Sequence, residues 1–347
     1  MDFIQHPMKL FGLKGSENYT KEVADALRIE VSSHEERVFD DGEAYLKSSD
    51  GKEGNVRGHN CFVIQSLYGD DKLSVSERFT RLLIFIGSLK QASANEVIPI
   101  IPHLGWARQD RKTSSRAPVT TKIIAKALQN AGGDRFLFFD VHNKSAIENA
   151  FDVPIDNLEA KPLHADWCAR RLHGVKKIVV MSPDAGGLGR AQRFRAALLK
   201  RLPKANIGLA VFDKLRDSET GETRSATGGK KSVGNVIGDV QDAAVIMLDD
   251  MLSTCGTMIK ACRAVPEFGG KVFAVCVTHG LFVGPANDRL NELPEDTKVV
   301  IADTVPPFRV NRDNRKRIRV VKTTDMVAEA ISKINSGTGS ISELINA

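Results

Sequence analysis

The sequence has few aromatic residues, few cysteines and no long apolar segment. Aromatic residues make up only 6% of the chain, so its net charge of +6 lacks the interleaved aromatic and basic residues that are typical of nucleic-acid binding. The five cysteines are scattered, which favours free thiols in a reducing compartment over disulfides or a zinc site. No apolar run approaches the roughly 20 residues of a membrane span. We therefore expect a protein that binds neither nucleic acid nor membranes.

Length and composition predict a globular protein of two domains. A chain of 347 residues is long for a single hydrophobic core. Hydrophobic residues at 42% and charged residues at 27% are typical of a folded rather than a disordered chain. The first residues have neither the basic region nor the apolar core of a secretory signal. Together these features favour a cytoplasmic location.

The densest basic segment covers residues 309–319 and has no interleaved aromatic residues. Two interpretations remain open for it. One is a solvated loop and strand edge. The other is a local positive field that attracts anionic substrates or effectors.

Short β-rich segments alternate with helical patterns, which is typical of parallel sheets flanked by helices. The predicted strands are residues 61–64, 97–101, 136–139, 178–181, 245–248, 272–277 and 299–302, and the predicted helices are 76–89, 119–131, 191–201 and 257–265. In such folds ligands bind at the carboxyl ends of the strands. Residues 216–234, rich in Gly, Ser, Thr and Lys, predict a mobile loop, and we expect the chain to fray after Gly337.

The most informative segment is residues 245–257, where an apolar strand is followed by Asp249, Asp250 and a turn of small residues that opens a helix. Backbone N–H groups and hydroxyls at a helix N-terminus suit a phosphate. Two adjacent carboxylates suit sugar hydroxyls or a Mg²⁺-bound diphosphate. The segment therefore predicts a site for a phosphorylated sugar.

This segment resembles the 5-phosphoribosyl 1-diphosphate loop of type I phosphoribosyltransferases and of ribose-phosphate diphosphokinases. Further segments resemble diphosphokinase motifs and follow in the same order: residues 39–43, 55–58, 108–111, 140–142, 151–154, 182–187 and 213–216. The resemblance covers roughly residues 9 to 334. It implies transfer of the β,γ-diphosphate of Mg-ATP to the 1-hydroxyl of ribose 5-phosphate.

The resemblance also implies roles for individual residues. It assigns ATP binding to Phe39, Asp41, Glu43, Arg108, Gln109 and Asp110. It assigns Mg²⁺ binding to His142 and Asp184, and catalysis to Lys214 and Arg216, two cations at the start of the predicted mobile loop. It assigns ribose 5-phosphate binding to Asp249, Asp250, Ser253, Thr254, Cys255, Gly256 and Thr257.

The resemblance further implies two tandem α/β domains of the type I phosphoribosyltransferase kind, each a mostly parallel sheet flanked by helices. We expect the first domain at residues 1–160 and the second at 161–322, with residues 323–340 packing back on the first. Because the loop with Phe39 is expected to reach a neighbouring subunit's nucleotide, we expect a homo-oligomer built from dimers, of which a hexamer is one form.

The chain departs from the family pattern in several places. Ser253 stands where many bacterial members have an acid, and residues 111–118 form a shorter segment than the effector-sensing segment of well-regulated members. Residues 216–238 are longer than usual, and residues 48–54 lengthen the N-terminal hairpin. These departures leave the proposed catalytic groups in place but put allosteric control in doubt.

Three alternatives remain at this point. A larger acceptor such as ADP-ribose would keep the ATP chemistry and need a roomier pocket near residues 249–257. A non-catalytic homologue that regulates an active synthetase would be expected to lose the loop cations or the metal-binding residues, which are all present. A phosphoribosyltransferase acting on a base would not need the N-terminal ATP-site segments.

Overall fold

The computed structural model describes residues 7–49, 54–213 and 235–346. By its contacts the chain divides into two compact units. The first unit runs to Glu159 and also takes in Thr323–Ile345, and the second runs from Ala160 to Lys322. Among the described residues, no helix has both the length and the apolar character that crossing a bilayer requires.

The first unit is built on a parallel sheet with helices between its strands. Its strands are β1 (Met8–Gly12), β2 (His34–Val38), β3 (Ala44–Ser48), β4 (Asn60–Ile64), β5 (Glu96–Ile101), β6 (Phe136–Phe139) and β7 (Ile155–Leu158). Its first helices are α1 (Glu17–Leu27), α2 (Val75–Gln91), α3 (Thr120–Asn130) and α4 (Lys144–Glu148). The five-stranded sheet has the order β1-β4-β5-β6-β7, and every pairing in it is parallel.

Strands β2 and β3 form a separate antiparallel hairpin, in which Val38 pairs with Ala44. The hairpin is attached to the core by a buried ion pair, since Glu36 accepts a hydrogen bond at 2.9 Å from Arg81 of α2. Helix α2 itself begins with a capping box, in which Ser74 and Glu77 satisfy each other's backbone N–H groups. The hairpin base is therefore held by a well-defined helix, while its tip extends from the core.

The second unit is a mixed sheet in which one edge strand is antiparallel. Its strands are β8 (Lys177–Ser182), β9 (Asn206–Asp213), β10 (Asn235–Ile237), β11 (Ala244–Leu252), β12 (Lys271–Gly280), β13 (Lys298–Ala302) and β14 (Ile318–Val321). Its helices are α5 (Lys161–Leu172), α6 (Leu188–Arg201), α7 (Gly256–Glu267), α8 (Ala286–Leu290) and α9 (Arg312–Arg315), with a 3₁₀ turn at Ala185–Gly187. The order is β10-β9-β8-β11-β12-β13-β14, and only β10 runs antiparallel to its neighbour.

The chain ends with α10 (Thr324–Ser336) and α11 (Ile341–Asn346). Val327 and Ile331 of α10 are fully buried in the first unit, and the Tyr19 hydroxyl lies 2.6 Å from Thr323 Oγ1. The expectation that the chain frays after Gly337 is wrong, because α11 buries Leu344 and places Glu343 2.8 Å from Lys333. The buried Leu344 side chain and the Glu343–Lys333 ion pair both stabilise this last turn and a half.

The basic segment at residues 309–319 contains α9, the turns on either side of it and the start of β14, which is the edge strand of the seven-stranded sheet. Its exposed basic residues agree with the interpretation as a solvated loop and strand edge, and they are Arg312, Arg315, Lys316 and Arg319. Arg309 donates to the Leu281 carbonyl at 3.1 Å, and Arg317 donates to the Pro294 carbonyl at 2.7 Å. Arg315 also donates to a loop carbonyl, that of Pro307. At least these three guanidinium groups therefore support the connections that follow β12 and β13.

Candidate active site

The carboxyl edge of the second unit's sheet brings several of the predicted site residues together. Strands β8 and β11 are parallel neighbours, with Met181 paired to Met247. The segment that follows β8 contains Asp184, and β11 delivers Asp249 and Asp250. Strand β11 runs to Leu252, four residues beyond its predicted end, so both carboxylates belong to the strand and do not follow it. Because neighbouring parallel strands end at one edge, this is where a ligand would bind.

Arg190, in the first turn of α6, pairs with both acidic residues of β11. Its Nη1 atom lies 2.9 Å from Asp249 Oδ1 and 3.6 Å from Asp250 Oδ1. Asp250 is only 2% exposed, whereas the Asp249 side chain is 26% exposed. Arg190 was not among the site residues predicted from the sequence. The available signal was its position three residues after the S-P-D-A-G-G segment, in the helix that starts beside β11.

The acid pair has unusual electrostatics. Burial raises the pKa of Asp249 to about 7, the negative charge of Asp250 adds to this effect, and Arg190 partly opposes it. The Asp250 backbone N–H also donates to Asp249 Oδ1 at 2.9 Å. Near neutral pH the Asp249 carboxyl can therefore either donate or accept a hydrogen bond, which suits neighbouring hydroxyl groups of a sugar.

The predicted phosphate loop, residues 253–257, leads from β11 into α7. Cys255 adopts a left-handed backbone conformation with φ +64°, which turns the chain into the helix at Gly256. Such a turn at a helix N-terminus directs successive N–H groups towards one side and forms a concave anion site. Cys255 is buried, and burial raises the pKa of its thiol to about 12, so it packs as an apolar side chain.

Asp184 organises the turn after β8. Its Oδ1 atom accepts a hydrogen bond at 3.2 Å from the Gly187 N–H, and its carbonyl accepts one at 2.6 Å from the Ser182 hydroxyl. A Cβ atom at Gly187 would lie 2.4 Å from Ser182 Oγ, so only glycine fits there. The turn leaves the Asp184 carboxylate exposed at the sheet edge.

In the first unit, the structure brings two of the predicted ATP-side segments together. Arg108 and Gln109 are exposed after β5, and the Gln109 N–H donates to the Trp106 carbonyl at 2.9 Å. Asp110 Oδ2 accepts a hydrogen bond at 2.7 Å from Asn143, the residue that follows His142 after β6. Because β5 and β6 are parallel neighbours, His142 and residues 108–110 share the carboxyl edge of this sheet.

The hairpin tip places Phe39 in an exposed position. Its ring is 43% exposed, with the Arg37 guanidinium carbon 5.0 Å from its centre and the Tyr45 ring 6.0 Å away. Asp41 Oδ1 accepts from the Glu43 N–H at 3.0 Å, which closes the turn. Among the described residues, no hydrogen bond or ion pair joins Phe39, Asp41 or Glu43 to residues 108–110. Within this unit the two segments are separate features.

The two predicted catalytic cations, Lys214 and Arg216, lie outside the described residues, as does the loop that they open. Strands β9 and β10, which flank that loop, pair antiparallel from Asp213 to Asn235. Residues 214–234 therefore connect the end of β9 to the start of β10, the edge strand of this sheet.

Two family models match the chain. One, described as the N-terminal domain of ribose phosphate pyrophosphokinase, matches residues 8–132, and the other, a phosphoribosyl synthetase-associated domain, matches residues 218–346. A ribose-phosphate pyrophosphokinase from Hyphomonas neptunium is 36% identical over 98% of this chain and 100% of its own length. The chain belongs to the ribose-phosphate pyrophosphokinase family.

Other members of the family agree. Ribose-phosphate pyrophosphokinase 1 of Streptococcus pyogenes serotype M3 is 34% identical, with 94% of each chain covered. The crystal structure of phosphoribosylpyrophosphate synthetase from Mycobacterium smegmatis matches with a TM-score of 0.81 and 27% identity, over 96% of this chain and 100% of that one. The family and the α/β fold class predicted from the sequence are confirmed.

Proposed function

We propose that this chain is a ribose-phosphate diphosphokinase, which transfers the β,γ-diphosphate of ATP to the 1-hydroxyl of ribose 5-phosphate and releases AMP. The observation that carries the proposal is the 36% identity to a ribose-phosphate pyrophosphokinase over the full length of that relative. The acid pair and the phosphate loop at one sheet edge supply the groups that a ribose phosphate requires.

On the acceptor side, the loop at residues 253–257 would bind the 5-phosphate through backbone N–H groups and through the hydroxyls of Ser253, Thr254 and Thr257. Asp249 and Asp250 would orient the sugar by hydrogen bonds to its hydroxyls. Arg190 would keep this pair in place, since it contacts both carboxylates. A sugar held at two points presents its 1-hydroxyl in one orientation, which is a large part of catalysis in phosphoryl transfer.

On the nucleotide side, Phe39 would stack on adenine, and Asp41 and Glu43 would accept hydrogen bonds from the base or its surroundings. Arg108 would bind phosphate oxygens, with Gln109 and Asp110 beside it. Lys214 and Arg216 would neutralise the charge that develops on the transferred diphosphate. No covalent intermediate on the protein is required, because the sugar hydroxyl attacks the β-phosphorus directly.

A magnesium ion is part of the proposal, and the side chains of the second unit fit it. Asp184 is exposed, and of its two carboxylate oxygens only Oδ1 accepts a hydrogen bond from another described residue. The described residues contain no group of three or more His, Cys, Asp or Glu side chains arranged to hold a metal ion. Mg²⁺ usually keeps several waters and binds nucleotide oxygens, so Asp184 would be one of few protein ligands. The Mg²⁺-binding role that the resemblance assigns to His142 stays a prediction. When bound, Mg²⁺ would neutralise phosphate charge.

We further propose that the enzyme works in the cytoplasm as a homo-oligomer built from dimers. The exposed position of Phe39 at the end of the hairpin supports this proposal. A ring that stacks on a nucleotide is covered when the nucleotide is bound, and in the oligomer that nucleotide would be the one bound by a neighbouring subunit. Its chain neighbour Val38 is also 52% exposed, which adds apolar surface for another subunit to cover.

The acceptor can be tested directly. Purified protein would be incubated with ATP, Mg²⁺ and either ribose 5-phosphate or ADP-ribose, and the products followed by mass spectrometry. We expect 5-phosphoribosyl 1-diphosphate and AMP from ribose 5-phosphate, and a much slower reaction with ADP-ribose. A faster reaction with ADP-ribose would show that the larger compound is the acceptor. If neither acceptor leads to the release of AMP, the proposed diphosphokinase activity is contradicted.

A further inference from the structure

Three successive carbonyl groups, at the end of β11 and the start of the phosphate loop, accept hydrogen bonds from donors on one side. The Leu252 carbonyl accepts hydrogen bonds from the N–H groups of Leu281 and Phe282 at 2.8 and 3.1 Å. The Ser253 carbonyl accepts one from the Val283 N–H at 3.0 Å. The Thr254 carbonyl accepts one at 2.7 Å from Arg289 Nη1, the only side-chain donor in this series. All of these donors follow β12.

This arrangement determines where the loop's N–H groups point. In a trans peptide the C=O of one residue and the N–H of the next point in opposite directions. Holding the carbonyls of Leu252, Ser253 and Thr254 on one side therefore turns the N–H groups of the following residues, 253–255, to the other side. Within the part of the chain that the structure describes, these three N–H groups donate to no other residue. They are available to an anion.

Arg289 is itself held in place. It lies in α8, and its neighbour Asn287 donates to the Arg309 carbonyl at 2.8 Å and accepts at 3.0 Å from the Asn311 N–H. The Arg289 guanidinium makes no ion pair with any described carboxylate. Its positive charge and its remaining N–H groups are therefore not neutralised by an acid of the same unit.

Because Gly256 has no side chain, the Arg289 guanidinium can approach its backbone closely. A Cβ atom at this position would lie 2.9 Å from Arg289 Nη1 and 3.3 Å from its Cζ. The φ angle of Gly256 is outside the left-handed region, so the backbone itself does not require glycine here. A Cβ atom at this position would therefore displace the Arg289 guanidinium.

We propose that Arg289 is a positioning residue for the 5-phosphate of ribose 5-phosphate: it holds the Thr254 carbonyl so that the Cys255 N–H faces the phosphate. This inference rests on the proposed function. Arg289 acts through the loop, from the side opposite the ligand. Losing it frees one peptide of the loop and leaves the nucleotide side untouched.

The test compares Arg289→Met, which keeps the length but has no donor, with Arg289→Lys, which can still donate to the Thr254 carbonyl. Arg263→Gln is the matched control, since Arg263 is an exposed arginine of α7 that pairs with Glu292 at 3.2 Å. We expect Arg289→Met to raise the KM for ribose 5-phosphate about tenfold or more, because a charge-assisted hydrogen bond is lost. The KM for ATP should stay within about twofold. Arg289→Lys should recover most of the loss, and Arg263→Gln should resemble the native enzyme.

Two further measurements keep the test decisive. Ribose 5-phosphate should raise the melting temperature of the native enzyme and of Arg289→Lys, and this increase should be smaller for Arg289→Met. Gly256→Ala should also raise the KM for ribose 5-phosphate. The double variant with Arg289→Met should raise this KM by less than the product of the two single effects, because both substitutions act on one contact. An unchanged KM in a folded Arg289→Met, or equal losses in the KM values for ATP and ribose 5-phosphate, would overturn the proposal. A native enzyme without activity would instead contradict the proposed function.

If Arg289→Met fails to fold, the decision falls to Arg289→Lys and Gly256→Ala. A selective rise in the KM for ribose 5-phosphate in Gly256→Ala, with Arg289→Lys near native, supports the positioning role. A Gly256→Ala enzyme with native kinetic constants overturns it.

Discussion

Asp249 carries the most unusual chemistry of any single described residue in the site. Its carboxyl lies 2.9 Å from the Arg190 guanidinium, yet its pKa is raised to about 7 because burial and the charge of Asp250 outweigh that cation. A perturbed carboxyl at a strand end, beside a phosphate loop, is the kind of group that functional sites contain. It also makes the stability of the protein depend on pH.

The first prediction concerns Asp249→Asn. In the unfolded chain the Asp249 pKa is near the ordinary value of 3.8, and in the folded chain it is about 7. Between these values the folded state holds a proton that the unfolded state has lost, so stability falls as the pH rises. Asn has no such proton, and Asp249→Asn should therefore gain stability relative to the native protein between pH 5 and pH 8. Urea denaturation at both pH values measures this gain.

The control for that experiment is Asp288→Asn, which changes an exposed carboxylate of α8. Its effect on the free energy of unfolding should be about the same at both pH values. A gain for Asp249→Asn that is equal at pH 5 and pH 8, or larger at pH 5, would show that the Asp249 carboxyl is not held protonated by the fold.

Individual side chains also show where sequence reasoning stops. Asp249, Asp250 and the small residues after them are consecutive, so a local pattern was enough to select them. Arg190 and Arg289 are 59 and 35 residues away from the groups they contact. Only the pairing of β8 with β11, and the return of the chain after β12, bring these guanidinium groups to the site.

At the scale of elements, the hairpin of β2 and β3 presents the Phe39 ring to solvent. Phe39 contacts Arg37 and Tyr45 of the same hairpin and is 43% exposed. A large exposed ring contributes little to the stability of a monomer. Its position is better explained by a ligand that it stacks against.

The second prediction follows from this exposure. Phe39→Ala should change the free energy of unfolding by less than about 1 kcal/mol, since little buried area is lost. The same change should raise the KM for ATP about threefold to tenfold, because a stacking contact of about 0.5–1.5 kcal/mol is removed. Steady-state kinetics with varied ATP gives this value.

Phe268→Ala is the matched control, because Phe268 is 38% exposed at the end of α7. It should have an equally small effect on stability and none on the KM for ATP. If Phe39→Ala behaves like Phe268→Ala in both measurements, Phe39 does not bind the nucleotide.

Strands and helices were predictable to the extent that they are buried or periodic. The apolar runs gave β6 at its observed bounds and most of β5 and β8. The end of β11 was not predictable, because Asp249 and Asp250 are polar and a sequence pattern ends the strand before them. The strand continues through them because a neighbouring strand pairs with it there, with Asp249 opposite Val277 of β12. Helix α11 was missed because it is only six residues long, so its apolar residues Ile341, Leu344 and Ile345 form too short a pattern to recognise.

At the scale of the whole molecule, the last segment of the chain returns to the first unit. Val327 and Ile331 of α10 are fully buried there, and Asn335 accepts a hydrogen bond at 3.0 Å from Asn60 at the start of β4. The segment that follows the second unit in the sequence therefore completes the core of the first unit. Folding of the first unit depends on both ends of the sequence.

The third prediction is that truncation after Lys322 destabilises the first unit strongly. Removing two fully buried branched side chains costs several kcal/mol at about 1.5–3 kcal/mol each. Truncation after Gly339 removes α11, whose contacts include the exposed Lys333–Glu343 pair, which contributes little to stability, and the buried Leu344. Urea denaturation of the two truncated proteins should differ clearly. Equal midpoints would contradict the importance of α10 to this core.

The central claim is that the whole molecule transfers a diphosphate rather than a single phosphate. Phosphorus NMR of a reaction with ATP, Mg²⁺ and ribose 5-phosphate tests it most directly. We expect equal amounts of AMP and of a sugar that carries a diphosphate at C1 and a phosphate at C5, with no ADP formed. Formation of ADP together with a singly phosphorylated C1, or consumption of ATP without any change in the sugar, would contradict it.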